Sequence, residues 1–418
     1  MRRRSKLPSS FWRHFSASTT SNLGDGVIAA AAPLLALSLT DDTRLLGAVS
    51  FAAMLPWLVL TLPAGVYIDR YSRKTIMSSA NGVRAVLFAT LSLLVLGDRI
   101  TIWILLLVVL CIAVCEVLFD MSAQAFLPEI VAESQLETAN GRLYAAEVVA
   151  NSFVGLPIGA WLFVIAAAAP FGIQAIALMI AAALLFSIRT SAASTGTGEV
   201  LHTRGGFRAD LTTGLRWLWS HKLLRLLALM LGAANMCHMF AQSVYAKFVR
   251  DELGLGPRGF GFLLASGAIG SIVGGLLGSR VASRLGSARA IVVAYAMFAT
   301  LEFVPWLLPR VWSVVLAGVA MAIFGTVWNV LTVSLRQRLI PPELFGRVNS
   351  VYRFLGTGTS AIGAIVGGQI AFYFGLRATY LVSGLALTLV LAVGAPSLLR
   401  YAKRYMAPER TPAPPSMT

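Results

Sequence analysis

Twelve apolar stretches, most of them long enough to cross a bilayer, occupy almost all of this 418-residue chain and leave it few ways to fold. A helix rises about 1.5 Å per residue, so about 20 apolar residues cross a hydrocarbon layer of about 30 Å. The stretches fall at 13–39, 44–68, 75–97, 101–127, 138–166, 170–189, 219–247, 258–283, 289–308, 311–338, 344–374 and 377–399. Backbone groups have no water to bond inside lipid, and the period-2 alternation of a membrane barrel is absent, so each stretch is expected to be a helix. Hydrophobic residues are 57% of the chain and charged residues 12%, too apolar a balance for a soluble domain of this length to cover. The expected fold class is an all-α, multi-pass membrane protein with twelve transmembrane helices.

Lys and Arg fix the expected orientation. They cluster before span 1 (Arg2, Arg3, Arg4, Lys6, Arg13), after span 2, in the central loop, on alternate connections of the second half, and after span 12. Of the 34 basic residues, 27 fall on that side and 7 (Arg44, Arg99, Lys247, Arg250, Arg258, Arg310 and Arg377) on the other. Both termini are therefore expected in the cytoplasm. The same bias accounts for the net charge of +16, so no nucleic-acid partner is expected. The leading MRRRSK resembles a signal-peptide start, but span 1 carries Asn22 and Asp25 and no small-residue cleavage site follows, so it is expected to be retained. Cys111, Cys115 and Cys237 are odd in number and lie within spans, which implies no disulfide framework; no His or acid completes a metal site, and no cofactor motif is present.

The polar segment 191–210 separates six spans from six. The expected domains are a first bundle at 1–190, a cytoplasmic linker at 191–218, a second bundle at 219–400 and a tail at 401–418. A repeat supports the division: Gln124 and Pro128 match Gln337 and Pro341, Asn140 matches Asn349, and Gly155 and Gly159 match Gly363 and Gly367, at an offset of roughly 210. The same offset lays Gly47 on Gly261 and Arg70 on Arg284. Transporters built from such parallel repeats bind substrate at the midplane between halves and rock the halves for alternating access.

Span 2 ends PAGVYIDRYSRK, giving Gly65-x-x-x-Asp69-Arg70-x-x-Arg73-Lys74. Here the chain resembles the major facilitator superfamily, whose loop between helices 2 and 3 has this form. The resemblance implies two six-helix bundles working as a monomer, with Asp69 bracing a cytoplasmic gate within a frame of Arg70, Arg73 and Lys74. Ser72 replaces a frequent glycine, and Ser283 replaces the acid in the second copy. NLGDG at 22–26, LPWLVLTLPAG at 55–65, EVLFDMSAQAFLP at 116–128 and NGRLYAAEVVANSFVGLPIGA at 140–160 resemble the drug/proton antiporter branch that includes macrolide efflux and enterobactin export proteins. The arginine motif of helix 4 common in that branch is missing; Glu116 and Asp120 stand there instead.

Ionisable groups inside a bilayer are costly and mark function. Asp25, Arg84, Glu116, Asp120 and Glu147 all fall within first-half spans, several of them about 12–18 Å deep at 1.5 Å per residue. One cation cannot neutralise four acids, so at least one carboxylate is expected to take up a proton. Asp25 and one of Glu116 or Asp120 are the expected proton carriers, with Arg84 as counter-charge. In the second half, His238, Gln242 and Tyr245 follow i, i+4, i+7 and share a side of span 7. With Asn22, Trp328 and Asn329 they are the expected substrate-cavity residues. Glu302 on span 9 is expected to face lipid or brace the bundle. No phosphate loop, nucleophile–base pair or metalloprotease motif occurs, so neither ATP coupling nor an enzyme is expected. The expected function is secondary active export of bulky amphipathic small molecules by proton antiport. Lipid or lysolipid movement on the same fold is the alternative, and a non-transporting sensor follows it.

Overall fold

The computed structural model describes residues 7–60, 68, 71–188 and 207–405. Every regular element among them is helical. The first half holds α1 (Ser9–Leu39), α2 (Thr43–Val59), α3 (Arg73–Leu96) and α4 (Ile102–Ile130). Next comes α5, in three continuous pieces: Leu136–Glu147, a π-helical Val148–Gly155 and Leu156–Ile165; α6 (Ala169–Phe186) closes the half. The second half holds α7 (Phe207–Ser220), α8 (Lys222–Gln242), α9 (Tyr245–Asp251), α10 (Pro257–Leu285), α11 (Ser287–Leu301), α12 (Phe303–Leu307), α13 (Val311–Leu339), α14 (Pro342–Phe374) and α15 (Leu376–Tyr405).

Eleven of the described helical segments are long and apolar enough to cross a membrane; α2 is apolar but shorter, and residues 61–67, 69 and 70 lie outside the described set. Large apolar side chains such as Leu93, Trp103, Ile176, Leu276, Leu389 and Phe374 stay exposed on the outer surface, as a lipid-facing surface requires. Ends are set by local chemistry. Asp42 caps α2 through the Arg44 amide at 2.9 Å, and Thr101 caps α4 through Ile104 at 3.3 Å. Gly286 (φ 76°) and Gly375 (φ 87°) turn the chain between α10 and α11 and between α14 and α15, in a region side chains avoid.

Three expected spans are interrupted. Span 7 becomes α8 and α9, with a break at Ser243–Val244, and its first residues belong instead to α7, an amphipathic helix inside the segment expected to be linker. Buried Leu218 anchors α7, and Gly214 lies so close to the backbone of Arg347 on α14 that a side chain would not fit. Span 9 breaks at Glu302. Span 5 carries the π-helical stretch, which widens the helix where it crosses α1.

The halves repeat each other in packing as well as in sequence. Gly155 and Gly159 of α5 lie against Gly26 and Val27 of α1, while Gly363 and Gly367 of α14 lie against Met236 and Phe240 of α8. Contacts between halves are paired in the same way. Gly47 of α2 meets Ala364 and Gly368 of α14, and Gly261 of α10 meets Ala160 of α5. Small residues at these four crossings let backbones approach, which is the main attraction available to helices in lipid.

Candidate functional site

The densest set of intramembrane polar groups joins five helices of the first half. The Arg84 guanidinium on α3 donates to Asp25 Oδ1 on α1 at 2.6 Å, and Gln174 on α6 donates to the same oxygen at 2.7 Å. Arg84 is 2% exposed and Asp25 24%, so the cation is enclosed while the acid keeps a path to open space. Gly24 makes the arrangement possible: a Cβ there would overlap the Gln174 side-chain oxygen. Gly26, two residues on, fits against the Asn151 backbone in the π-helical stretch of α5. NLGDG thus presents Asp25 with a glycine on each side, one admitting Gln174 and the other admitting α5.

Glu116 and Asp120 on α4 lie within Coulombic reach of Arg84, and Glu147 on α5 within reach of Asp25. The structure therefore gathers Asp25, Glu116 and Asp120 around the Arg84 guanidinium, with Glu147 reaching the group only through Asp25. Glu147 is the outermost and is exposed. Gln174 was not singled out. Its only signal is that it is the sole carboxamide in an otherwise apolar span at 170–189.

Asp25, Arg84 and Glu116 line one end of a cavity of about 410 Å³. Its walls are mainly apolar, with Leu46, Val49, Ile112 and Phe171 from the first half and Phe260 and Leu264 from the second. Gln242 and Tyr245 line this cavity and also a neighbouring one of about 340 Å³ inside the second half. His238 lines only the second cavity. Asn22 and Asn329 line neither; Trp328 is buried in the second-half core, its ring 5.1 Å from that of Tyr295. The breadth of Trp328 fills space between α11 and α13 instead of forming a cavity wall.

Glu302 does not face lipid. It is fully buried at the α11–α12 break, with Oε1 3.1 Å from His238 Nδ1. The helix break turns its carboxyl inward, a feature that an apolar span with no capping signal does not announce.

Polar contacts tie the halves together at both ends of the first cavity. On the face away from the termini, Asp41 pairs with Lys247 at 3.0 Å and with Arg250, and Thr43 donates to the Gly368 carbonyl at 3.0 Å. Lys247 also reaches Asp251 at 2.8 Å. Hydrogen bonds from Arg250 and then Lys247 hold the Asp41 carboxyl below its ordinary value. Burial opposes the same effect at Asp251, where the bonds from Arg250 and Lys247 still keep the carboxyl low. Toward the terminal face, Arg353 on α14 donates to Gln124 on α4 at 3.1 Å and lies over the Trp57 ring of α2.

Of the loop residues, Gly65, Asp69 and Arg70 lie outside the described residues. Arg73 bonds Glu129 at 2.5 Å and the Ala125 carbonyl at 3.1 Å, tying α3 to α4. Lys74 donates to the Ile188 carbonyl at 2.6 Å beyond α6.

Comparison with known proteins matches this architecture. The multidrug efflux pump Tap of Mycobacterium tuberculosis is 26% identical over 400 residues, covering 90% of each chain. Macrolide efflux protein A of Streptococcus pyogenes is 22% identical over 358 residues, covering 85% of this chain and 86% of the relative. Among solved structures, a bacterial homologue of the human lysosomal transporter Spinster superposes with a TM-score of 0.71 at 14% identity, covering 96% of this chain and 98% of that one. The nucleoside transporter NupG gives 0.71 at 11% identity, covering 94% and 100%; likenesses at this identity establish the fold. The sequence model of the transmembrane secretion effector family matches residues 7–417. With eleven spanning helices and the shorter apolar α2 among the described residues, and efflux pumps as relatives, the chain belongs to that family of major facilitator superfamily transporters.

Proposed function

We propose that this protein is a secondary exporter of bulky, partly apolar small molecules, driven by protons moving the other way through alternating access. The observation that carries the reading is the position of Asp25. It is a partly open acid at one end of the apolar cavity between halves, bonded to an enclosed Arg84. Arg84 has Asp25, Glu116 and Asp120 as candidate counter-ions and can satisfy only part of that negative charge. A proton on Asp25 frees the guanidinium to turn toward α4; a proton on Glu116 or Asp120 returns it to Asp25. Helix α1 carries Asp25 and packs along the π-helical part of α5, so a change at the pair is felt where the bundle meets α10.

In this reading both termini face the cytoplasm of a bacterial inner membrane, and one chain is the working unit. The Asp41–Lys247–Arg250 cluster closes the outer side, and the Arg353–Gln124 contact with Trp57 forms part of the inner closure. Apolar walls suit large apolar cargo, and the relatives named for multidrug and macrolide efflux support the export direction. The test is reconstitution in proteoliposomes with an imposed pH gradient, offering ethidium, erythromycin and a labelled lysolipid in turn. Gradient-dependent movement of ethidium or erythromycin supports the reading. Movement of the lysolipid alone replaces it with lipid transport, and movement of none contradicts both.

A further inference from the structure

Among the described residues, the second half contains one deeply buried acid that the proton-coupling cluster does not use. Glu302 has no exposed surface, and its Oε2 has no hydrogen-bond partner among the described residues. Its Oε1 meets His238 Nδ1 at 3.1 Å, and His238 Nε2 meets the Gln242 amide nitrogen at 3.1 Å. The histidine side chain is 37% exposed, so the chain runs from a sealed carboxyl to an imidazole with one edge on open space. That space is the cavity of about 340 Å³, walled by Phe298, Tyr245 and Tyr380 as well as by apolar residues.

The same contacts admit two arrangements of protons, because each ring nitrogen of His238 can donate or accept. In one, with the Gln242 nitrogen donating to Nε2 and Nδ1–H donating to Glu302, the ring is neutral and the carboxylate carries one uncompensated negative charge. Apart from His238, the titratable groups that face Glu302 offer no cation. They are Cys237 on α8, Tyr380 on α15 and, next to Tyr380, Tyr245 on α9. Among the described residues, α10 and α13 contribute only uncharged side chains to the lining, which holds no Lys or Arg. A lone carboxylate buried without compensation is costly, so the site calls for a positive charge. Two can supply it. A proton can sit on His238 Nε2 once the Gln242 amide turns over to present its oxygen, which is the better resting place because Oε2 has no partner to receive a hydrogen. Alternatively, a cation can occupy the cavity beside the aromatic rings, whose faces attract positive charge.

We propose that His238 and Glu302 form a second ligand site, which holds either one proton or one lipophilic cation in the second-half cavity. When a cation enters, the Nε2 proton leaves to solvent through the cavity, the ring becomes neutral, and the cation takes over the charge balance of Glu302. Gln242 and Tyr245 line both cavities and so join this site to the one beside Asp25. The inference deepens the export reading by naming organic cations as cargo, and it shares only the premise that cargo enters these cavities.

The test is an equilibrium measurement on the purified full-length protein, without vesicles or gradients. Tetraphenylphosphonium is added in weakly buffered detergent solution, because it carries a permanent charge and any proton released comes from the protein. The wild type should bind it and release protons. Glu302→Gln should release about one proton fewer per cation bound and bind about tenfold more weakly, whereas Asp25→Asn should keep the Glu302-dependent release. Unmutated protein labelled with ¹⁵N-histidine gives a check that needs no variant to fold: the His238 ring should pass from doubly to singly protonated as the cation is added. Equal proton release and affinity in Glu302→Gln, an unchanged His238 ring, or a wild type that does not bind the cation overturns the site. Failure of gradient-driven export with these binding results intact would sink the export reading and leave the site standing.

Discussion

Arg84 is the residue on which the first-half cluster turns. It is enclosed, it bonds Asp25 at 2.6 Å, and it is the cation shared by Asp25, Glu116 and Asp120. Removing one member of a buried pair leaves a charge without compensation, at a cost of about 3–5 kcal/mol. Arg84→Leu should therefore lower stability by about that amount, read as a fall in the thermal midpoint in detergent. Arg84→Gln combined with Asp25→Asn should recover part of the loss, because both charges go together. Gly24→Ala is a milder probe. It should push Gln174 away from Asp25, reducing export by about tenfold and lowering stability by about 1.5–3 kcal/mol, the contribution of one hydrogen bond to a charged group. At this scale the five charged residues were legible because ionisable groups stand out in apolar spans. Gln174 was not, since a single amide has no periodicity to betray which neighbour it meets. Glu302 was left between lipid and the bundle for a related reason: its direction is set by a break in the helix, and nothing at 301–303 announces one.

Helix crossings carry the repeat. Gly159 against Val27 and Gly367 against Phe240 are equivalent contacts in the two halves, each too close for a side chain. Gly159→Leu and Gly367→Leu should each destabilise by about 1–3 kcal/mol, the usual range for forcing bulk into a packed interface, as measured by thermal unfolding. The matching residues were visible in the sequence as a register of glycines, although their partners were not. Which helix a glycine faces depends on rotation about the axis, and helices apolar on every side do not encode it. The π-helical turn at Val148–Gly155 and the division of span 7 into α8 and α9 were hidden for the same reason.

Between elements, the Asp41 cluster makes a pH statement. Its carboxyl lies below the ordinary value of 3.8, so the contact is fully present above that value and is lost only as pH falls through the lowered one. Across pH 5–8 it stays closed by charge, and substitution is the way to open it. In a background lacking Cys111, Cys115 and Cys237, a cysteine at Ser50→Cys, on the cavity wall, should label about two- to fivefold faster from outside when Asp41→Asn is added. Equal labelling rates with and without that change would remove the cluster from the outer closure.

For the whole molecule, the fold was the most legible feature. Span number, repeat and charge bias are each averaged over many residues, so errors of a turn in any helix do not alter the result. The proposed coupling mechanism depends instead on a few protons at the Asp25 site. The most direct measurement is ethidium accumulation in inside-out vesicles under an imposed pH gradient, comparing wild type with Asp25→Asn and Asp120→Asn at matched protein levels. The account predicts gradient-dependent accumulation in wild type and a loss of about tenfold or more in Asp25→Asn. Full gradient-driven accumulation in both variants would contradict it.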